Sequence, residues 1–198
     1  MRLVIYLPNM SSHHIVRENQ EPALFVVDPH NIDAEYLGQL LEWSPTIITL
    51  AQHYEVLASW GIKVDVLLVD GHVATDMEEH LLAISYSEDY CSALFAYLES
   101  KKNYTLNIIV DQFEKADFLA YLPTFTINFI SNGFKYVLLQ QYEKWLPAGL
   151  ILHLLDAYHL TDKFSNVNLL DANRLEVRED GFVTMQKTND YVLIGEAL

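Results

Sequence analysis

Asp28, Asp70 and Asp111 each close a short apolar run, as Val27-Asp28, Val69-Asp70 and Val110-Asp111. In an open α/β sheet the ligand crevice lies beyond the carboxyl ends of the strands. Carboxylates gathered there could hold Mg²⁺, a hard ion that takes oxygen ligands and bridges to phosphates. An aspartate after a strand is also an ordinary turn former or helix cap, and the pattern alone leaves both readings open. The 8 histidines offer a second chemistry, yet none has the H-E-x-x-H spacing of a helical zinc site. His13 and His14 are adjacent, so their side chains diverge on regular structure. His30, His53 and His72 each lie just past a predicted strand, and His53, Asp70 and His72 together could ligate a metal; solvent-facing loop histidines are the plainer reading. Cys91 falls in an amphipathic helical pattern without a nucleophile signature, which suits a buried thiol. No serine sits in a G-x-S-x-G elbow. Trp145, close to Pro147, could stack on a flat heterocycle, although aromatic residues are mostly core or interface material.

Close approach of backbone N–H groups to phosphate normally takes glycine. The chain has 7 glycines, none adjacent to another, and neither G-x-G-x-x-G nor G-x-x-x-x-G-K-[ST] occurs. A standard nucleotide cradle is therefore absent from the sequence.

The elements that must position these residues follow from apolar patterning. Residues 23–28, 46–50, 64–69, 106–110 and 125–130 are short apolar, β-branched runs, as expected of strands covered on both faces. Between them, residues 34–43, 54–60 and 88–101 carry helical spacing, the first after an Asn31/Asp33 cap and the last with Leu94, Phe95 and Leu98 on one stripe. Strand–helix alternation predicts βαβ units on a mostly parallel, Rossmann-like sheet. Later, residues 134–139, 150–155, 174–178, 182–185 and 191–194 read as strands, with turn signals at 131–133, 147–149 and 179–181. The expected organisation is an α/β domain over residues 1–124, then a smaller β-rich, sandwich-like domain over 125–198.

Composition narrows the partners. Twelve Lys+Arg against 27 Asp+Glu give a net charge of −15, which opposes sequence-independent nucleic-acid binding and an anionic membrane surface. Hydrophobic residues make up 51% of the chain, a globular composition. One cysteine cannot form an internal disulfide, so a reducing cytoplasm is expected. The opening residues 1–8 are too soon broken by Pro8 for a signal peptide, and no apolar run is long enough to span a bilayer. A soluble cytoplasmic protein is the expectation.

The stretch 64–70, Val-Asp-Val-Leu-Leu-Val-Asp, resembles a segment of the thiamine pyrophosphokinase family, in which a strand opening with P-D runs into a G-D-x-D-S motif. Residues 48–54 stand where that family has its A-D-G-G-A loop, and residues 88–94 resemble the helix that begins at T-D-x-x-K-A. Residues 108–118 are similar to the strand and loop carrying G-G-R-x-D-H. The resemblance spans about residues 23–122, and the β-rich tail fits the family's second domain.

What it implies is an α/β catalytic domain with a β-sandwich, usually in a homodimer, moving pyrophosphate from Mg-ATP to the thiamine hydroxyl. Carried over by position, it marks Asp70, Asp89, Lys115 and Asp117 as catalytic candidates and His53 and His72 as cofactor-binding, while Trp145, from its own aromatic character, stays the substrate-binding candidate. Asp70, with Asp28 or Asp111, would recruit Mg²⁺. Departures are many. Ala51, Gln52 and His53 replace the loop acid and glycines, Val69 and His72 replace the leading glycine and second acid around Asp70, and Ser92 replaces the helix lysine. Glu88 stands for Thr, Lys115 for Arg and Phe118 for His. Phosphoryl-type transfer rests on positioning and charge neutralisation, so these losses predict impaired catalysis and a ligand-binding or regulatory role. An active, atypical diphosphokinase is the alternative, and a structural protein acting through a dimer interface is a third reading.

Overall fold

The computed structural model describes residues 21–72, 80–155 and 158–198. Residues 1–8 and the His13-His14 pair, considered above, lie outside them.

Apolar residues on both faces of a strand require cover on both sides. That demand shapes the first half of the molecule. Strands β1 (Ala23–Val26), β2 (Ile47–Leu50), β3 (Val66–Asp70), β4 (Leu82–Tyr86), β5 (Thr105–Ile109) and β6 (Thr126–Ser131) form a parallel array in the order β6-β5-β1-β2-β3-β4. Side chains alternate between its faces. Phe25, Ile48, Leu68, Ile108 and Phe129 pack with Leu94 and Leu98 of helix α3 (Tyr90–Ser100). Leu24, Val26, Ile109 and Ile130 pack instead with Leu37 of α1 (Ala34–Glu42) and Leu57 of α2 (Tyr54–Ser59). Each long helix starts on an aspartate: Asp33 accepts from Tyr36 N at 2.8 Å, and Asp89 accepts from Cys91 N at 2.9 Å.

From β1 the chain winds outward to β4, then returns through α3 to lay β5 on the other side of β1. The strand order reverses between β1 and β5. Such a reversal opens a crevice at the carboxyl ends of the two strands.

The antiparallel strands continue the same sheet. β7 (Phe134–Leu139) pairs with β6 through a hairpin at Asn132 and Gly133, whose φ values of 50° and 79° suit that turn. Beyond it lie β14 (Val192–Ala197), β9 (Ile151–Leu155), β12 (Arg174–Val177) and β11 (Val167–Leu169), giving eleven strands among the described residues. A separate three-stranded sheet, β10 (Phe164–Ser165), β13 (Gly181–Met185) and β8 (Tyr142–Leu146), covers one face of this half. Tyr142, Leu146, Val183 and Met185 meet Leu152, Leu154, Leu175 and Ile194 in a second core.

The observed large sheet is thus parallel in its first half and antiparallel in its second. The turn at residues 179–181 carries the chain from β12 in the large sheet to β13 in the small one. Patterning missed β4, whose Ser85 interrupts the apolar run at the sheet edge, and β8, where Glu143 and Lys144 hide the strand period.

Candidate functional site

The crevice between β1 and β5 contains a cavity of ≈ 280 Å³. Val27 comes from the end of β1 and Val110 from the end of β5, while Tyr90 opens α3 and Phe113, Glu114 and Asp117 belong to the loop after β5. The loop is seated by stacking. The Phe113 ring lies flat on Phe129 of β6, with centroids 4.0 Å apart and planes inclined by 3°, and Phe118 meets the same ring edge-on at 4.9 Å. Tyr90 is wedged between Phe25 at 5.6 Å and Tyr86 at 6.2 Å.

Electrostatics in the cavity are negative. Burial, followed by the fields of Cys91, Asp117, Asp89 and Tyr86, pushes the Tyr90 hydroxyl up to about 12. Burial and then Asp70 raise Tyr86. Cys91 is buried, as its helical setting predicted, and burial together with Asp89 and Asp117 pushes its thiol up to about 12, so it stays protonated. Among the described residues, the lining holds no lysine or arginine.

The structure distributes the expected site residues unevenly. Asp117 lines the cavity. Asp89 sits beside it but caps α3, accepting from Cys91 N at 2.9 Å, Ser92 N at 3.1 Å and Ser92 Oγ at 3.1 Å. Partial burial works to raise its pKa, and these bonds outweigh that and hold it below the ordinary carboxylate value. Lys115 turns into a neighbouring cavity of ≈ 190 Å³, with Asn189, Asp190 and Tyr191 among its walls. Asp70 ends β3 in solvent next to Tyr86, and His72 is exposed just beyond it. His53 closes a short 3₁₀ turn after β2, its Nε2 3.0 Å from Gln52 Nε2. Trp145 lies on β8, opposite Phe182 of β13 and 54% exposed. The small sheet thus carries it, away from the cavity walls.

The expected Mg²⁺ grouping of Asp28, Asp70 and Asp111 is not found: among the described residues no three His, Cys, Asp or Glu side chains are placed to hold a metal ion. The reasons are local. Asp28 folds back to accept from His30 N at 3.0 Å, and Asp111 receives the Asn31 amide at 3.4 Å. Asp70 lies two strands away from Asp28, roughly 10 Å by strand spacing.

Asn31, which the sequence offered only as a helix cap, has a larger role. Its Nδ2 donates to Val110 O at 2.6 Å and its Oδ1 accepts from Asn132 N at 3.1 Å, tying the β1 loop to the end of β5 and to the β6–β7 hairpin. Tyr90, Phe113 and Glu114 were missed. The signal was present, since the rule that ligands sit beyond strand ends points to the whole loop after β5 and not only to its acids.

No protein-family model matches this sequence, and no curated protein sequence matches it. Solved structures do. Thiamin pyrophosphokinase from Geobacillus thermodenitrificans aligns with a TM-score of 0.60 at 7% identity, over 89% of this chain and 96% of that one. The thiamin pyrophosphokinase of Candida albicans gives 0.56 at 12% identity, over 90% and 89%. A probable thiamine pyrophosphokinase from Staphylococcus saprophyticus gives 0.54 at 14% identity, over 89% and 98%. This chain has the fold of those structures, as the resemblance in its sequence implied.

Proposed function

We propose that this protein is a thiamine-pyrophosphokinase-like binding protein, impaired in pyrophosphoryl transfer, whose cavity between β1 and β5 takes a cationic ring such as thiamine. One observation carries the reading. The cavity joins two carboxylates, Glu114 and Asp117, to the rings of Tyr90, Phe113 and Phe118, and its described lining offers no cationic side chain. Aromatic faces and carboxylates attract an organic cation, whereas a triphosphate needs cations and backbone N–H donors. No described residues converge on a metal, so the reading routes no step through Mg²⁺. A regulatory role through ligand capture, in the cytoplasm, follows from it.

Calorimetric titration with thiamine, Mg-ATP and AMP, alongside an assay for AMP release, tests this. Thiamine should bind without turnover, and Asp117→Asn should weaken it by about three- to tenfold. Brisk AMP release that Asp70→Ala abolishes would establish the active diphosphokinase instead. Failure of thiamine to bind would remove the cavity's assignment.

A second reading, interaction through a homodimer, is favoured by Trp145 and Phe182, a cross-strand aromatic pair 54% and 60% exposed on the outer face of the small sheet. Sedimentation of the native chain against Trp145→Ser/Phe182→Ser tests it, and a monomeric native protein would end it.

A further inference from the structure

A second hollow lies on the opposite face of the sheet, at the end where β1 and β2 begin. It measures ≈ 230 Å³ and is walled by Pro22, Leu24, Leu40, Trp43 and Pro45. Its floor is an amide. Asn107 of β5 is only 7% exposed, and its Oδ1 accepts from Asn128 Nδ2 of β6 at 2.9 Å. That bond uses the oxygen on the β6 side and leaves Nδ2 toward β1, where Leu24, the register partner of Asn107, forms part of the wall. Nδ2 has no hydrogen-bond partner among the described residues. No fully buried side-chain polar atom there lacks one, so this donor must be reached from the hollow. Donors in such surroundings are almost always satisfied.

We infer that this hollow is a binding site for an uncharged, flat ring carrying a carbonyl or ring-nitrogen acceptor. The ring lies against the Trp43 indole, itself 67% exposed, and the acceptor takes Asn107 Nδ2–H. Glu21 also lines the hollow, and its carboxylate disfavours anionic ligands such as phosphates. The site is independent of the cavity between β1 and β5: it uses other residues, the other face and the other edge of the parallel strands.

The full chain, residues 1–20 included, is titrated with 1-indanone and with indane, its counterpart lacking the carbonyl, by ligand-observed NMR. Binding of 1-indanone should fall about three- to tenfold in Asn107→Leu while indane binding is unchanged. Trp43→Ala should weaken both probes tenfold or more. No 1-indanone binding at millimolar concentration, or binding indifferent to both substitutions, overturns the assignment. Should Asn107→Leu fail to fold, Trp43→Ala decides alone, since this exposed side chain can be removed without opening the core; unchanged affinity then refutes the site.

Discussion

One transverse row of residues runs from β3 to β12 across the large sheet and separates its two halves. Through the parallel strands it reads Val66, Ile48, Phe25, Ile108 and Phe129, all buried. Past the β6–β7 pairing it continues as Tyr136, Gly195, His153 and Arg174. Along this row the parallel half is wholly apolar, and its carboxylates stand at the strand ends, where a ligand can reach them. The antiparallel half admits polar groups onto its face and binds them to one another. Tyr136 Oη lies 2.6 Å from His153 Nδ1, and the phenol ring crosses over Gly195 to get there. The polar groups of this antiparallel row are committed to one another, whereas the carboxylates at the strand ends remain available for chemistry.

This contrast can be broken at four places. The largest effect should come from Leu94→Ala, which empties a fully buried position between α3 and the parallel strands; urea denaturation should show a loss of about 2–5 kcal/mol. In the antiparallel half, Gly195→Ala puts a methyl 2.5 Å from Tyr136 Cε1. A loss of about 1–3 kcal/mol is expected, and it should shrink to a few tenths, about the additivity error, in a Tyr136→Leu background. If the alanine costs the same in both backgrounds, the ring is not what excludes it.

Asp89→Ala should cost about 1 kcal/mol, the usual worth of an aspartate cap. Its pH dependence has a definite sign. The folded pKa lies below the ordinary 3.8, so the stabilisation is complete above that value and is lost as pH falls through the folded one. The difference between wild type and Asp89→Ala should therefore close only in strong acid. The smallest effect belongs to His153. Burial, with an opposing contribution from Asp171 and a further one from Arg174, lowers its pKa below 6.5. Its stabilisation is present above 6.5 and lost as pH falls through the folded value. Relative to His153→Gln, the wild type should lose no more than about 1 kcal/mol between pH 7.5 and 5.5, discounted because the ring is partly solvated. A parallel pH response in both proteins would show that His153 carries no such linkage.

Much of the parallel half was legible because two-sided burial writes unbroken runs such as Ala-Leu-Phe-Val, whose shortness favours a strand over a buried helix. One helix start was legible from Asp33, whereas Asp89 had drawn attention for its chemistry and not for its cap. The short strands β10 and β11 left no pattern long enough to count. For the cavity, acids could be read from the sequence, but not their direction. Asp117 and Lys115 belong to one short turn and yet line different cavities. Aromatic residues such as Phe113 looked like core material, and half of that is true: one face stacks on Phe129 while the residue also lines the cavity.

The pairing of β6 with β5 on one side and β7 on the other rules out one style of motion. A continuous ladder offers no hinge, so the two halves cannot rock apart to admit a guest. Heating should accordingly melt both halves in a single calorimetric peak.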